Sequence, residues 1–177
     1  MAIKPTIYKV DLQLVDMNRD IYTSCKLTIA LHPSETLERM MIRLMVFGLH
    51  YHEDLQFCKG LAASDEADVW EVGPDGQIHQ WIEVGQVSAE RIRKAVSRSP
   101  AVTLYAYGKD ADIWWSKSQA AFKDLPRVSV WKFDGDESAK LAELVDRTIT
   151  LTMTISGHEI YLNRDDQQLT LSFSQLL

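Results

Sequence analysis

Hydrophobic and polar positions alternate with period two along Thr6–Val15, where Tyr8, Val10, Leu12 and Leu14 share one side. They alternate again along Ile21–Leu31 through Cys25, Leu27, Ile29 and Leu31. Such alternation predicts half-buried strands, and the polar cluster Asp16–Asp20 between them predicts a turn, so residues 1–31 read as a long antiparallel hairpin. The period then changes. Leu37, Met40, Met41, Leu44, Met45 and Gly48 recur at helical spacing, with Ser34 as the expected N-cap and the helix fading near His50–Asp54. A short strand over Leu55–Leu61 follows. Val69–Val72 and Ile78–Val84 then flank Gly73-Pro74-Asp75-Gly76, a hairpin signature.

Ser88 is placed to cap a helix reaching about Ser97, and Val102–Tyr107 is a nearly continuous apolar run, as in a strand buried on both faces. A helix over Asp110–Phe122, a strand over Val128–Phe133 and a helix over Asp136–Asp146 come next. Ile149, Leu151, Met153 and Ile155 then alternate with threonines, and two more short strands complete a C-terminal antiparallel meander. The pattern predicts one α/β domain over residues 1–177, in which a core at 34–107 carries β extensions at 1–31 and 148–174.

Composition narrows the function classes. Apolar residues make up 46% of the 177-residue chain, ordinary for a globular protein, and no apolar run is long enough to span a membrane. The first residues carry no apolar signal core, and Cys25 and Cys58 form no Cys-x-x-Cys pair; both features point to a reduced, cytoplasmic protein. A net charge of -6 disfavours a general electrostatic coat for nucleic acid and leaves room for a local basic patch. Phosphate-loop, dinucleotide, nucleophile-elbow and His-x-x-x-His motifs are absent from the sequence.

The candidate chemistry lies around the central hairpin. Glu83 sits inside an apolar strand, where an ionised carboxylate is costly unless paired or metal-bound. If Gly73–Gly76 is a four-residue loop, Val72 faces Gln77, Glu83 falls opposite Glu66, and Asp68 lies diagonally beside it on the same face. Asp65 points the other way unless a bulge intervenes. Two carboxylates on one face make half of a site for a hard cation such as Mg²⁺ or Mn²⁺, or simply a surface carboxylate pair. Glu38 lies at the edge of the first helix's apolar stripe. Arg91, Lys94 and Arg98 form a basic stripe on the following helix, suited to a phosphate backbone or to a solvated face.

Several blocks together resemble the YaeQ family of bacterial proteins: Ser34-Glu35-Thr36-Leu37-Glu38-Arg39-Met40-Met41, Trp81-Ile82-Glu83-Val84-Gly85, Arg91-Ile92-Arg93-Lys94-Ala95, Ile113-Trp114-Trp115 and Asp146-Arg147-Thr148. The resemblance implies a variant of the PD-(D/E)xK, restriction-endonuclease-like fold: a mixed sheet flanked by helices, here with antiparallel β extensions at both termini. By the same resemblance, Asp68 (or Asp65) and Glu83 hold Mg²⁺ or Mn²⁺, Glu38 assists from the first helix, and the substrate is nucleic acid. The family pattern places a lysine two residues after the glutamate, and this chain has Gly85 there. Gln86, one residue later, carries no charge. Lys94 or Arg91 is then the candidate replacement cation. Two functions follow: a Mg²⁺-dependent phosphodiesterase, or a catalytically degenerate relative that serves as a binding or regulatory module.

Overall fold

The structure is a computed structural model that describes residues 4–59 and 65–177. The predicted hairpin is present as β1 (Thr6–Asp16) and β2 (Ile21–Leu31), paired antiparallel along their full length. Helix α1 (Leu37–Leu49) follows, then β3 (Leu55–Phe57), β4 (Val69–Val72) and β5 (Ile78–Val84). The expected extension of β3 to Leu61 lies outside the described residues. Next come α2 (Ala89–Arg98), β6 (Val102–Ala106), α3 (Ala111–Phe122) and β7 (Val128–Phe133). A 3-10 helix spans Glu137–Leu144, and β8 (Thr148–Ser156), β9 (Glu159–Arg164) and β10 (Gln167–Gln175) form the meander. No helix among the described residues is long and apolar enough to cross a membrane.

The ten strands form one mixed sheet in the order β2-β1-β8-β9-β10-β7-β6-β5-β4-β3. The terminal β elements are therefore not separate extensions of a central core. β1 pairs parallel with β8, and β10 bridges β9 through Gln167–Ser172 and β7 through Phe173–Gln175. The N-terminal hairpin and the meander thus complete a single sheet with the central strands. α2 and α3 are the crossovers of a parallel run, β5–β6–β7.

Helix α1 touches β2 at one end of the strand order and β3 and β4 at the other, so the sheet curls around it. This enclosure explains a difference from the helical stripe. Met40 through Gly48 are all buried, including Ile42, Arg43, Val46 and Phe47, which the periodicity places off the apolar face. The approach is close enough that a Cβ on Gly48 would lie 2.5 Å from Met153 Sδ. The second core lies on the opposite face of β5–β7, where Trp81, Ile92, Leu104, Phe122 and Val130 pack with α2 and α3. With cores on both faces, β6 is buried at every residue, as its continuous apolar run predicts.

The start of α1 corrects the expected cap. Thr36, not Ser34, is the N-cap, its hydroxyl accepting the Arg39 N–H at 3.1 Å. Ser34 is occupied one turn earlier, its Oγ 2.9 Å from His32 Nδ1. The chain turns once more before the helix, which directs Glu35 inward.

Candidate functional site

The site begins with the β4–β5 hairpin. Val69 pairs with Ile82, Trp70 with Trp81 and Glu71 with Gln80, and the register shifts between Glu71 and Val72, which pairs with Ile78. This overturns the four-residue-loop register. Gly73 N–H donates to Gln77 O at 2.9 Å, which draws Gln77 into the turn, and the bulge slides the arms past one another. Continued one residue beyond β4, the pairing sets Asp68, not Glu66, opposite Glu83. Glu66 turns aside and its Oε2 accepts the Lys59 N–H at 2.9 Å. Asp65 is exposed, and its carbonyl accepts a bond from Arg98 Nη1.

Asp68 and Glu83 are almost wholly buried, at 4% and 1% exposure. The Glu83 carboxyl is pushed up to about 8, first by burial and then by the Asp68 charge. Each carboxyl also has its own arginine. Arg39 Nη2 donates to both oxygens of Asp68 at 2.8 Å and to the Val84 carbonyl at 3.2 Å, while Nη1 donates to Glu35 at 3.0 Å. Burial works against the Arg39 charge, but Asp68 and Glu35 outweigh it and hold the guanidinium above its ordinary range. Glu83 Oε1 accepts from Arg91 Nε at 3.0 Å, lies 2.9 Å from Arg91 Nη2, and accepts from Trp81 Nε1 at 2.7 Å. Trp81 and Glu83 are two residues apart on one strand and share a face. The Val84 N–H closes the cluster on Asp68 Oδ2 at 2.8 Å.

Arg39, Asp68, Glu83, Val84 and Arg91 line a cleft of about 520 Å³, shared with Gly85, Gln86, Ser88 and Tyr107. Gly85 has φ +104°, a conformation that favours glycine and disfavours a lysine side chain. The cation beside Glu83 comes instead from α2. Ser88 caps that helix as predicted, accepting the Arg91 N–H at 3.3 Å, and this cap orients the turn that carries Arg91.

The other predicted residues divide. Gln86 lines the cleft and also a neighbouring cavity of about 380 Å³, where Glu38 is found. Glu38 does not join the carboxyl pair; its Oε1 accepts the Ser138 hydroxyl at 2.7 Å. Lys94 lies on the solvent side of α2, 3.5 Å from Glu90, and does not line the cleft. Arg98 lies over the Trp81 ring at 5.1 Å. The basic stripe therefore splits, and only Arg91 reaches the carboxyls. Among the described residues, no three His, Cys, Asp or Glu side chains converge as a metal site.

Sequence reasoning misses Arg39. The available signal for Arg39 was its spacing of four residues from Glu35, the distance of a helical ion pair.

Fold and site together define an α/β protein with two arginine-paired carboxyls in a cleft beside its parallel strands. The YaeQ protein family matches residues 1–173, and the chain belongs to that family. It is 38% identical over 175 residues to a YaeQ protein of Escherichia coli (strain K12), described as uncharacterised, covering 98% of this chain and 97% of that one. Against its Salmonella typhi counterpart, identity is 41% over 164 residues, covering 92% and 91%. Two crystal structures of YaeQ proteins are similar. That from Xanthomonas axonopodis pv. citri has a TM-score of 0.91 at 34% identity, covering 97% of this chain and 98% of that one. That from Pseudomonas syringae has 0.92 at 36%, covering 98% and 96%.

Proposed function

We propose that the cleft binds phosphate groups of nucleic acid, and that the protein is a binding or regulatory module that keeps a nuclease-like carboxyl pair without metal-dependent catalysis. The observation that carries this reading is the docking of one arginine on each of two adjacent carboxyls at the cleft floor. A guanidinium fork suits the tetrahedral oxygens of a phosphate. Burial and the Asp68 charge favour a protonated Glu83, so the two arginines face a single negative charge and the cluster is net positive. The first turn of α2 borders the cleft at Ser88 and adds its positive end.

Mg²⁺ or Mn²⁺, the ion expected by resemblance, does not fit the residues as they stand. Both oxygens of Asp68 receive Arg39, and Glu38 is held by Ser138. A divalent-ion-dependent phosphodiesterase is nevertheless the second reading. One feature favours it: two buried carboxyls line one cleft beside a cation, Arg91, that stands in for the absent lysine.

The test is a titration of the full chain with labelled single- and double-stranded DNA and RNA, in EDTA and in Mn²⁺. Two arginines predict binding in EDTA with a slope of log K against log salt of about -2 on duplex DNA. Absence of binding to all four probes removes the first reading. Cleavage in Mn²⁺ that both Asp68→Ala and Glu83→Ala abolish establishes the second.

A further inference from the structure

One nitrogen of Arg39 lies in a nest of oxygens. Nη2 is 2.8 Å from Asp68 Oδ1, 2.8 Å from Asp68 Oδ2 and 3.2 Å from the Val84 carbonyl. Converging carboxylate and carbonyl oxygens are the ligands a hard divalent cation takes. Asp68 has anchors besides Arg39. Asp68 Oδ2 is also held by the Val84 N–H, and the Asp68 carbonyl accepts the Cys58 N–H at 3.1 Å, so the main chain fixes this end of the hairpin. Arg39 in turn is anchored from behind, through Nη1 to Glu35, whose carboxylate is itself pinned by Arg43 at 2.8 Å.

We infer that the Arg39 guanidinium is an intramolecular cation standing where a divalent metal ion would bind, so that Mg²⁺ or Mn²⁺ and the Arg39–Asp68 pair exclude one another. The mismatch between this cleft and a nuclease metal centre then has a physical cause. A free ion has to displace a tethered charge that is always protonated and always at hand. Removing that charge, with the oxygens left in place, unmasks the cation position.

The experiment uses Mn²⁺ alone as the probe, so it gives an answer whether or not nucleic acid binds the cleft. Mn²⁺ is titrated into the full chain and followed by the paramagnetic resonance signal of the free ion and by the thermal unfolding midpoint. Arg39→Met removes the charge and keeps the apolar stem. It is expected to bind Mn²⁺ at least tenfold more tightly than the wild type and to gain thermal stability with added ion. Arg39→Met combined with Asp68→Asn is expected to lose that gain. Equal affinity of wild type and Arg39→Met overturns the inference, as does a folded Arg39→Met that binds no Mn²⁺. Should Arg39→Met not fold, Arg39→Gln, neutral and still able to donate to Asp68, carries the same comparison with the same two outcomes.

Discussion

Arg43 and Glu35 form an ion pair inside the curled sheet: Arg43 is 2% exposed, and its Nε and Nη2 each reach a Glu35 oxygen at 2.8 Å. Nη2 also donates to the Ala30 carbonyl at 2.6 Å, so the pair joins α1 to β2. Removing Glu35 strands the buried Arg43 charge, whereas removing Arg43 leaves Glu35 paired with Arg39. Glu35→Ala is expected to lower stability by about 3–5 kcal/mol in urea unfolding, and Arg43→Ala by less. A loss below about 1 kcal/mol for both would show that water reaches the pair.

Arg91 and Lys94 separate the cleft from the surface of the same helix. Arg91→Ala is expected to weaken oligonucleotide binding and to reduce the salt slope by about one unit, as for one phosphate contact. Lys94→Ala, on the solvent side, should leave both unchanged. Equal effects of the two substitutions would place the binding face on the outside of α2.

Glu83 makes stability depend on pH in a defined direction. Burial and Asp68 raise its carboxyl from 4.5 to about 8, so the folded state binds the extra proton between those values. Its contribution is fully present below about 4.5 and is lost as pH rises through about 8, a change of about 5 kcal/mol. Glu83→Gln keeps the size and stays neutral. Its unfolding midpoint should gain on the wild type between pH 5 and pH 9, and parallel profiles would refute the raised Glu83 carboxyl.

His50 acts in the opposite sense. Its ring lies 2.8 Å from the Tyr105 hydroxyl and 2.8 Å from Gln80 Nε2, and burial, with Arg19 nearby, lowers it from 6.5 to about 4. The folded state holds this ring neutral. Its contribution is present above about pH 6.5 and declines as pH falls towards 4, a change of about 3 kcal/mol. In His50→Gln, denaturant unfolding at pH 7 and pH 5 should show less of this acid-side loss than in the wild type.

Gly85 keeps the lysine position vacant through its backbone. With φ at +104°, Gly85→Lys is expected to cost about 1–3 kcal/mol in thermal unfolding without creating nuclease activity. Cleavage by that variant would mean that the strand end relaxes to admit the side chain.

Much of the fold was legible in the sequence because its signals are local. Period-two alternation marked β1, β2 and β8, the Gly73–Gly76 segment marked a hairpin, Ser88 marked the start of α2, and a continuous apolar run marked β6 as buried on both faces. Asp68 and Glu83 were also legible as a pair, because a carboxylate inside an apolar strand demands a partner wherever the fold puts it. Tertiary structure decided how that demand is met. The bulge at Glu71/Val72 moved Glu83 from Glu66 to Asp68, and the curl of the sheet around α1 buried residues on every side of that helix. The parallel pairing of β1 with β8 joined segments more than 130 residues apart. Above all, Arg39 and Arg91 arrive at the carboxyls from two different helices, while Lys94, one turn from Arg91, does not. Whether a carboxyl shares a proton, holds an ion or binds an arginine depends on which charges come within hydrogen-bond distance of it. That distance is set by the packing of helices against the sheet, which no local pattern of residues encodes.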